Sequence, residues 1–505
     1  MYSRTTATED QAAARLKKPA AEASAGPASG APAAGARVRT RLAGGPSALA
    51  GSTPDLASGQ PGLAIHEPEA IGEQGAIGEH GSSLEQGAFR EQGLVAEAGR
   101  LALSWAAGRH LSRSTACGIT LALTACAAAW FSSGSRTDIV RGVAALWIGY
   151  LVLKGGRLLP AVRTSAVRVG WLTALGSCLA ECVVYAGLTE GAAAGRWSRA
   201  WPLGIAVLGL VGVRNLMSVC SVAPGFGEHP DGAIRRICAD TLTMPLGGRV
   251  LLIGVVAPAW GARATLLALL DWAIVSIGYG LAGRAARGLT DDDAERPSAR
   301  SSLLLRLRDD GALARGIGSL VRGNLLPLPP AVLGLVAISA LGLLGLHGLP
   351  RALMIGPAVV MLLAAPGSAH PHTGRLDWLV PVLLVGAQIL YLTATGLGVG
   401  VPGPVIFALA ATLLLRYADL AFPGRPVMLT RAQPPDGERR EWGTAVGWEG
   451  RLLIAGLAAA VGIATFAYLA LTVYFGFLIG VKVVTSSVAR REERGRDRLG
   501  DGSRG

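Results

Sequence analysis

Charge is scarce in this chain: only 16% of its 505 residues are Asp, Glu, Lys or Arg, against roughly 25% in an ordinary soluble domain. With 51% hydrophobic residues and a positive mean hydropathy, that scarcity excludes a soluble globular enzyme. Lysine is rarer still, confined to Lys17, Lys18, Lys154 and Lys482, so arginine carries the formal charge of +13. The arginine preference and the 70 glycines follow a GC-rich coding bias. In such a composition small-residue motifs are weak signals, and glycine pairs such as Gly247-Gly248 carry none.

Cysteine is sparse and badly placed for cross-links. Cys117, Cys126, Cys178, Cys182 and Cys220 fall inside apolar runs and Cys238 in a polar segment, which excludes a disulfide framework and marks small core residues. Cys178 and Cys182 lack the CxxC spacing of a redox or zinc pair, so neither metal nor cofactor is expected. An apolar h-region is missing from MYSRTTATEDQAAARLKK, so no cleavable signal is expected and the first apolar run serves for targeting. No Gly-rich phosphate loop, GxSxG elbow or Ser-His-Asp order is visible. The basic residues flank apolar runs, which argues against a nucleic-acid partner.

Residues 1–92 are rich in Ala, Gly, Ser, Pro and Glu without a sustained apolar period. They cannot bury enough surface to offset chain entropy and are expected to be disordered. Within them Glu-(Gln/His)-Gly recurs at Glu73, Glu79, Glu85 and Glu91, a low-complexity repeat far shorter than a solenoid unit. Over 93–114, Leu94, Ala98, Leu101 and Trp105 fall at helical spacing beside Arg100, Arg109 and Arg113, the pattern of a helix in the headgroup layer.

A spanning helix needs about 20 mainly apolar residues, and that ruler predicts an all-α polytopic membrane protein of about twelve transmembrane helices. They fall at 115–133, 138–153, 169–189, 201–221, 245–261, 263–284, 328–346, 351–366, 378–397, 401–420, 450–464 and 466–485. The run Leu452 to Val483 would reach about 48 Å as one helix, beyond the roughly 30 Å hydrocarbon core, so it is split near Gly462 into a hairpin. Nearly all Lys and Arg then fall on one side, the other keeping only Arg136, Arg141, Arg196, Arg199, Arg263 and Arg351. The positive-inside rule makes the rich side, and both termini, cytoplasmic at the cell membrane. Residues 285–327 form a cytoplasmic linker between six-helix membrane domains at 115–284 and 328–485, its second part reading as a surface-lying helix. A basic tail, 486–505, follows.

Two groups of polar residues stand out inside this frame. Glu181 and Arg214 are ionisable residues within apolar runs, costly in hydrocarbon and expected to pair or share a polar cavity. His370, His372, Asp377, Arg416, Asp419, Glu449 and Arg451 collect at predicted cytoplasmic helix ends as a salt-bridged rim or a headgroup site. Two His with an Asp could ligate zinc, but without a second ligand pair no metal is expected.

The stretch Val152 to Ser177, VLKGGRLLPAVRTSAVRVGWLTALGS, resembles in placement and spacing the signature region of the CDP-alcohol phosphotransferases, DxxDGxxARx8GxxxDxxxD. In that family four carboxylates at cytosolic helix ends bind divalent metal for phosphoryl transfer, and the last serves as base. Laid over the pattern, Val152 and Gly155 replace the first two aspartates and Gly156 keeps the glycine. Leu159 and Pro160 stand for Ala-Arg, Val169 for the next glycine, Thr173 and Ser177 for the last two aspartates. All four carboxylates are absent, and hard cations need several oxygen ligands. The segments WLTALGSCLAECVVYAGL, DWLVP, LRYADLAF and GWEGRLL are similar to an uncharacterised actinobacterial membrane family related to these enzymes. The resemblance implies a non-catalytic relative, a pseudoenzyme linked to lipid metabolism, with membrane lipids, a phospholipid headgroup or a nucleotide as partners. The sequence leaves its oligomeric state open. The basic loop of Lys154, Arg157, Arg163 and Arg168 also reads simply as an anchor at anionic headgroups. Six plus six spans with a long central loop equally describe a secondary transporter.

Overall fold

The computed structural model describes residues 113–158, 166–195, 197–221, 245–288, 297–321, 328–345, 350–369, 376–421 and 446–501. Residues 1–92 and most of the 93–114 helix lie outside them, as do Leu159, Pro160, His370 and His372. Among the described residues there is no strand. The helices are α1 (Arg113–Ser132), α2 (Arg136–Leu158), α3 (Ala166–Ala194), α4 (Ala200–Ser221) and α5 (Leu246–Gly288), then α6 (Pro297–Arg308) and α7 (Ala312–Val321). They continue with α8 (Leu328–Gly345), α9 (Gly356–Met361), α10 (Leu379–Gly398), α11 (Gly403–Ala421), α12 (Trp448–Val461) and α13 (Ala464–Asp501). Short 3-10 turns, Arg351–Ile355 and Leu362–Ala369, flank α9.

Among the described residues seven helices are long and apolar enough to cross a membrane, and Leu328–Ala340 and Leu353–Ser368 are shorter apolar helices. Their outer faces carry large bare side chains, Leu151 at 61%, Trp260 at 68% and Phe466 at 76% exposure. Apolar surface on that scale needs lipid as its solvent, so the chain is an integral membrane protein.

Helix breaks fall where the backbone supplies a reason. Gly261, at φ 83° and ψ 177°, interrupts α5 in a region that essentially only glycine enters. A Cβ at Gly248 would stand 3.3 Å from Trp272, whereas in one straight helix those residues would be about 36 Å apart. Helix α5 is therefore a hairpin of two arms. At the end of α12, Gly462 takes the left-handed conformation at φ 89°. Its N–H bonds Ala459 O at 3.3 Å, and that of Ile463 bonds Ala458 O at 2.8 Å, which is a Schellman cap. The run Leu452 to Val483 is thus two helices. Between α1 and α2, Ser135 Oγ accepts the Asp138 N–H at 3.2 Å and donates to Asp138 Oδ2 at 2.7 Å, capping the start of α2.

Helices α1 and α3 meet backbone to backbone, because a Cβ at Gly187 or Gly191 would strike the main chain of Ala128 or Phe131. This is the small-xxx-small contact of membrane helices. Across the seam between the chain's two halves, α3 packs on α11, and α4 packs on both α10 and α11. Trp201 meets Phe407 edge-on there at 5.7 Å. The buried core runs without interruption from Ala127 to Phe475. Within the segment that reads in sequence as linker and surface helix, residues 297–321 form two helices whose junction is inside: Leu304, Leu307, Arg308, Asp309 and Ala314 are all buried.

Candidate functional site

A small, half-open cleft lies among α1, α2, α3 and the first arm of α5. Its walls are mainly aliphatic, from Leu146, Leu153, Val184, Leu246, Val250 and Ile253. Three of the hydroxyls that reach it are tied to helix carbonyls: Thr120 to Gly149 O at 3.1 Å, Thr124 to Thr120 O at 2.7 Å, Ser177 to Thr173 O at 2.8 Å. One corner is ionic. Arg249 Nη1 donates to Glu181 Oε2 at 2.7 Å, and Arg249 Nη2 reaches Asn215 Oδ1 at 3.4 Å.

The sequence reading sets Glu181 with Arg214, but the ion pair that Glu181 makes in the structure is with Arg249. Arg214, on α4, donates Nε to Ser276 Oγ at 2.7 Å, and its guanidinium also meets Ser218. The physical reason is depth. Arg249 sits one turn inside α5, level with Glu181 on the neighbouring α3, while Arg214 turns toward the second arm of α5. Gly247, set aside in sequence, lies where a Cβ would strike the Tyr150 ring, so it lets α5 close on α2.

Of the signature-like positions, Ser177 lines the pocket. Thr173 is one turn earlier on α3 and, like Val152 and Gly155 on α2, half-buried, while Gly156 and Val169 lie within α2 and α3. Among the described residues no three His, Cys, Asp or Glu side chains gather as a metal site would.

The second constellation gathers most of the predicted cytoplasmic rim and adds residues that sequence reasoning missed. Asp309, in the turn between α6 and α7, is clasped by two guanidinia: Arg416 Nη2 donates to Oδ1 at 3.2 Å and Arg451 Nη1 to Oδ2 at 2.6 Å. Arg416 Nη1 also donates to Asp419 Oδ2 at 3.2 Å, where Lys482 Nζ joins it at 2.6 Å. Trp171 Nε1, from α3, donates to Asp419 Oδ1 at 3.1 Å, tying the signature-like helix to the second half. Arg451 Nη2 reaches Gln388 Oε1 at 3.3 Å and Tyr417 Oη at 3.2 Å, and its guanidinium lies 5.1 Å from the Phe475 ring centre. Arg308 pairs with Asp310 at 2.9 Å and donates to Ala364 O at 3.1 Å, satisfying a carbonyl of the 3-10 turn after α9. Asp377 is buried nearby in sequence at the start of α10.

Two helix starts lock together at this site. Glu449 accepts the N–H groups of Gly311 and Ala314, each at 3.2 Å, so it caps α7. In return Trp448 N–H donates to Asp309 O at 3.2 Å, and Trp448 Nε1 to Asp310 Oδ1 at 2.7 Å. Buried helix ends need such partners because water is absent. Gly311 and Gly447 touch so closely that neither has room for a Cβ. Asp309 itself holds a positive φ of 52°, a placement that costs a non-glycine residue about 1–3 kcal/mol and persists because both guanidinia hold its carboxylate. The signal available in sequence was the Arg-Asp-Asp-Gly string at 308–311, masked by the charge-rich segment around it.

Over the described residues, fold and sites define a helical integral membrane protein with a cleft among its first helices and a buried ionic clasp. Comparison with protein-family models, with curated proteins and with solved structures gives no match.

Proposed function

We propose that this chain is a cell-membrane protein of twelve spans with both termini cytoplasmic, which keeps the frame of a CDP-alcohol phosphotransferase without its metal chemistry. In this reading it holds a phospholipid in the pocket of its first six helices. The observation that carries the proposal is the Glu181–Arg249 pair under Ser177. The acid that lines the pocket is already neutralised, so no concentration of negative charge faces a divalent cation there. The aliphatic rim of the cleft suits contact with an acyl chain lying against it, and the polar corner suits a headgroup.

Contacts between helices fit neighbouring traverses, and the two arms of α5 add one to the long apolar helices. Glu181 and Arg249 join the middle of α3 to the start of α5, Arg214 and Ser276 the last halves of α4 and α5, and Asp419 and Lys482 the last half of α11 and the body of α13. A transporter would need an aqueous path between the halves, whereas side chains such as Leu414, Ile389 and Trp201 fill that seam. That favours the lipid reading.

The test is turnover of a cytidylyl-lipid by purified full-length protein with Mg²⁺ or Mn²⁺. The expected result is no metal-dependent turnover, with a phospholipid retained in native mass spectra of the wild type and lost from Ser177→Trp. Robust metal-dependent turnover overturns the pseudoenzyme reading, and equal lipid retention by both proteins overturns the pocket assignment.

A further inference from the structure

Three donors of the residues around Asp309 are left without an acceptor. A guanidinium presents its N–H groups as a planar fork that grips a carboxylate or phosphate through two bonds at once. Here each arginine gives Asp309 a single bond, Arg416 through Nη2 and Arg451 through Nη1. Among the described residues Nε of Arg416, Nε of Arg451 and Nε2 of Gln388 have no hydrogen-bond partner, although the three residues are 4%, 0% and 0% exposed. Buried polar groups are normally satisfied, so three orphan donors on the residues of one clasp mark a place with room for more acceptor oxygens.

The anion that fills the site comes from a separate segment. Asp309 belongs to the α6–α7 turn, while Arg416, Arg451 and Gln388 belong to α11, α12 and α10. It enters on a strained backbone, at φ 52°, and so behaves as a tethered ligand rather than as part of the wall. Lys482, on α13, adds a cation 2.6 Å from the neighbouring Asp419.

We propose that Arg416 and Arg451, with Gln388, form an anion site for a phosphoryl group, and that Asp309 of the same chain occupies it until such a ligand displaces it. A phosphomonoester offers three terminal oxygens in place of two, so it can take the idle Nε donor of Arg416, which shares a guanidinium edge with Nη2, while keeping Nη1 of Arg451. The shared chemistry belongs to phosphatidic acid in the bilayer and to soluble phosphate alike. This proposal is independent of the pocket beneath Ser177.

The test uses the full-length protein in nanodiscs of phosphatidylcholine. One arm adds inorganic phosphate against chloride of equal ionic strength; the other replaces a tenth of the lipid with phosphatidic acid. Hydrogen exchange is read at Gly311 and Ala314, whose amides Glu449 protects in the docked turn. Displacement of Asp309 is expected to speed their exchange at least tenfold. Asp309→Asn is expected to raise apparent affinity for the active anion at least tenfold, as removal of a competing tethered anion requires, and Arg451→Gln to abolish the response. A response to phosphate identifies a soluble ligand, and a response to phosphatidic acid alone a lipid. If exchange at Gly311 and Ala314 is unchanged in both arms with the wild type, the proposal is overturned, whatever the variants do.

Discussion

Glu181 and Asp309 are carboxylates in places where an unpaired charge could not survive, and their partners differ in how visible they are. Glu181 stands out as a lone acid in an apolar run, so its need for a cation was legible. Which cation was not, because Arg249 sits near a helix start and reads as an ordinary flanking charge. Asp309 and Asp310 were hidden for the opposite reason, since a charge-rich segment reads as solvated whether or not it docks. The Glu181–Arg249 pair, at side-chain exposures of 13% and 7%, is worth much less as a pair than either member costs when left alone. Glu181→Gln strands the guanidinium and is expected to lower stability by about 3–5 kcal/mol. Glu181→Leu combined with Arg249→Met is expected to stay near the wild type. Denaturation of the three purified proteins in one detergent measures this, and a double variant as unstable as the single one would refute the account.

Helix boundaries were legible where length and glycine agreed. The split at Gly462 follows from an apolar run too long for one crossing, and the break at Gly261 from two such runs parted by little more than Arg263. What could not be read was which glycines matter by contact, since a composition with 70 Gly offers many candidates and sequence shows no partner backbone. Gly187 and Gly191 on α3, and Gly311 against Gly447, are revealed only by what lies opposite. The two kinds respond differently to alanine. At Gly462 the cap needs a left-handed residue and Ala should cost about 1–2 kcal/mol. At Gly261 nothing lies within 4 Å of a Cβ, yet the backbone region itself should make Ala cost about 1–3 kcal/mol. At Gly447 the φ of −74° suits any residue, so the cost of Ala is purely steric, separation of α7 from α12. Limited proteolysis should then cut Gly447→Ala between α6 and α7 under conditions in which Gly462→Ala remains intact. Equal resistance of both would mean that the helix-start lock contributes nothing to docking.

On the scale of the molecule, the pocket corner and the ionic clasp belong to helix ends that the charge rule assigns to one membrane face. Arg249 begins α5, Trp171 lies near the start of α3, Asp419 near the end of α11 and Glu449 at the start of α12. The opposite ends are joined by short turns, such as the one around Gly134 and the hairpin at Gly261. Such a division follows if basic loops stay with the cytoplasm while tight hairpins cross. It gives a definite pattern of accessibility in a chain whose native cysteines are replaced. Ser133→Cys, Ser198→Cys and Trp260→Cys should react with a membrane-impermeant maleimide on intact cells, and Gln433→Cys only after permeabilisation. Trp260 is the discriminating position. If α5 lay wholly on one side as a re-entrant element, or crossed as one long helix, Trp260→Cys would not label with Ser133→Cys from outside. Labelling of Gln433→Cys on intact cells would instead invert the orientation, moving both the pocket corner and the clasp to the outer face, where cytoplasmic phosphate could not reach them.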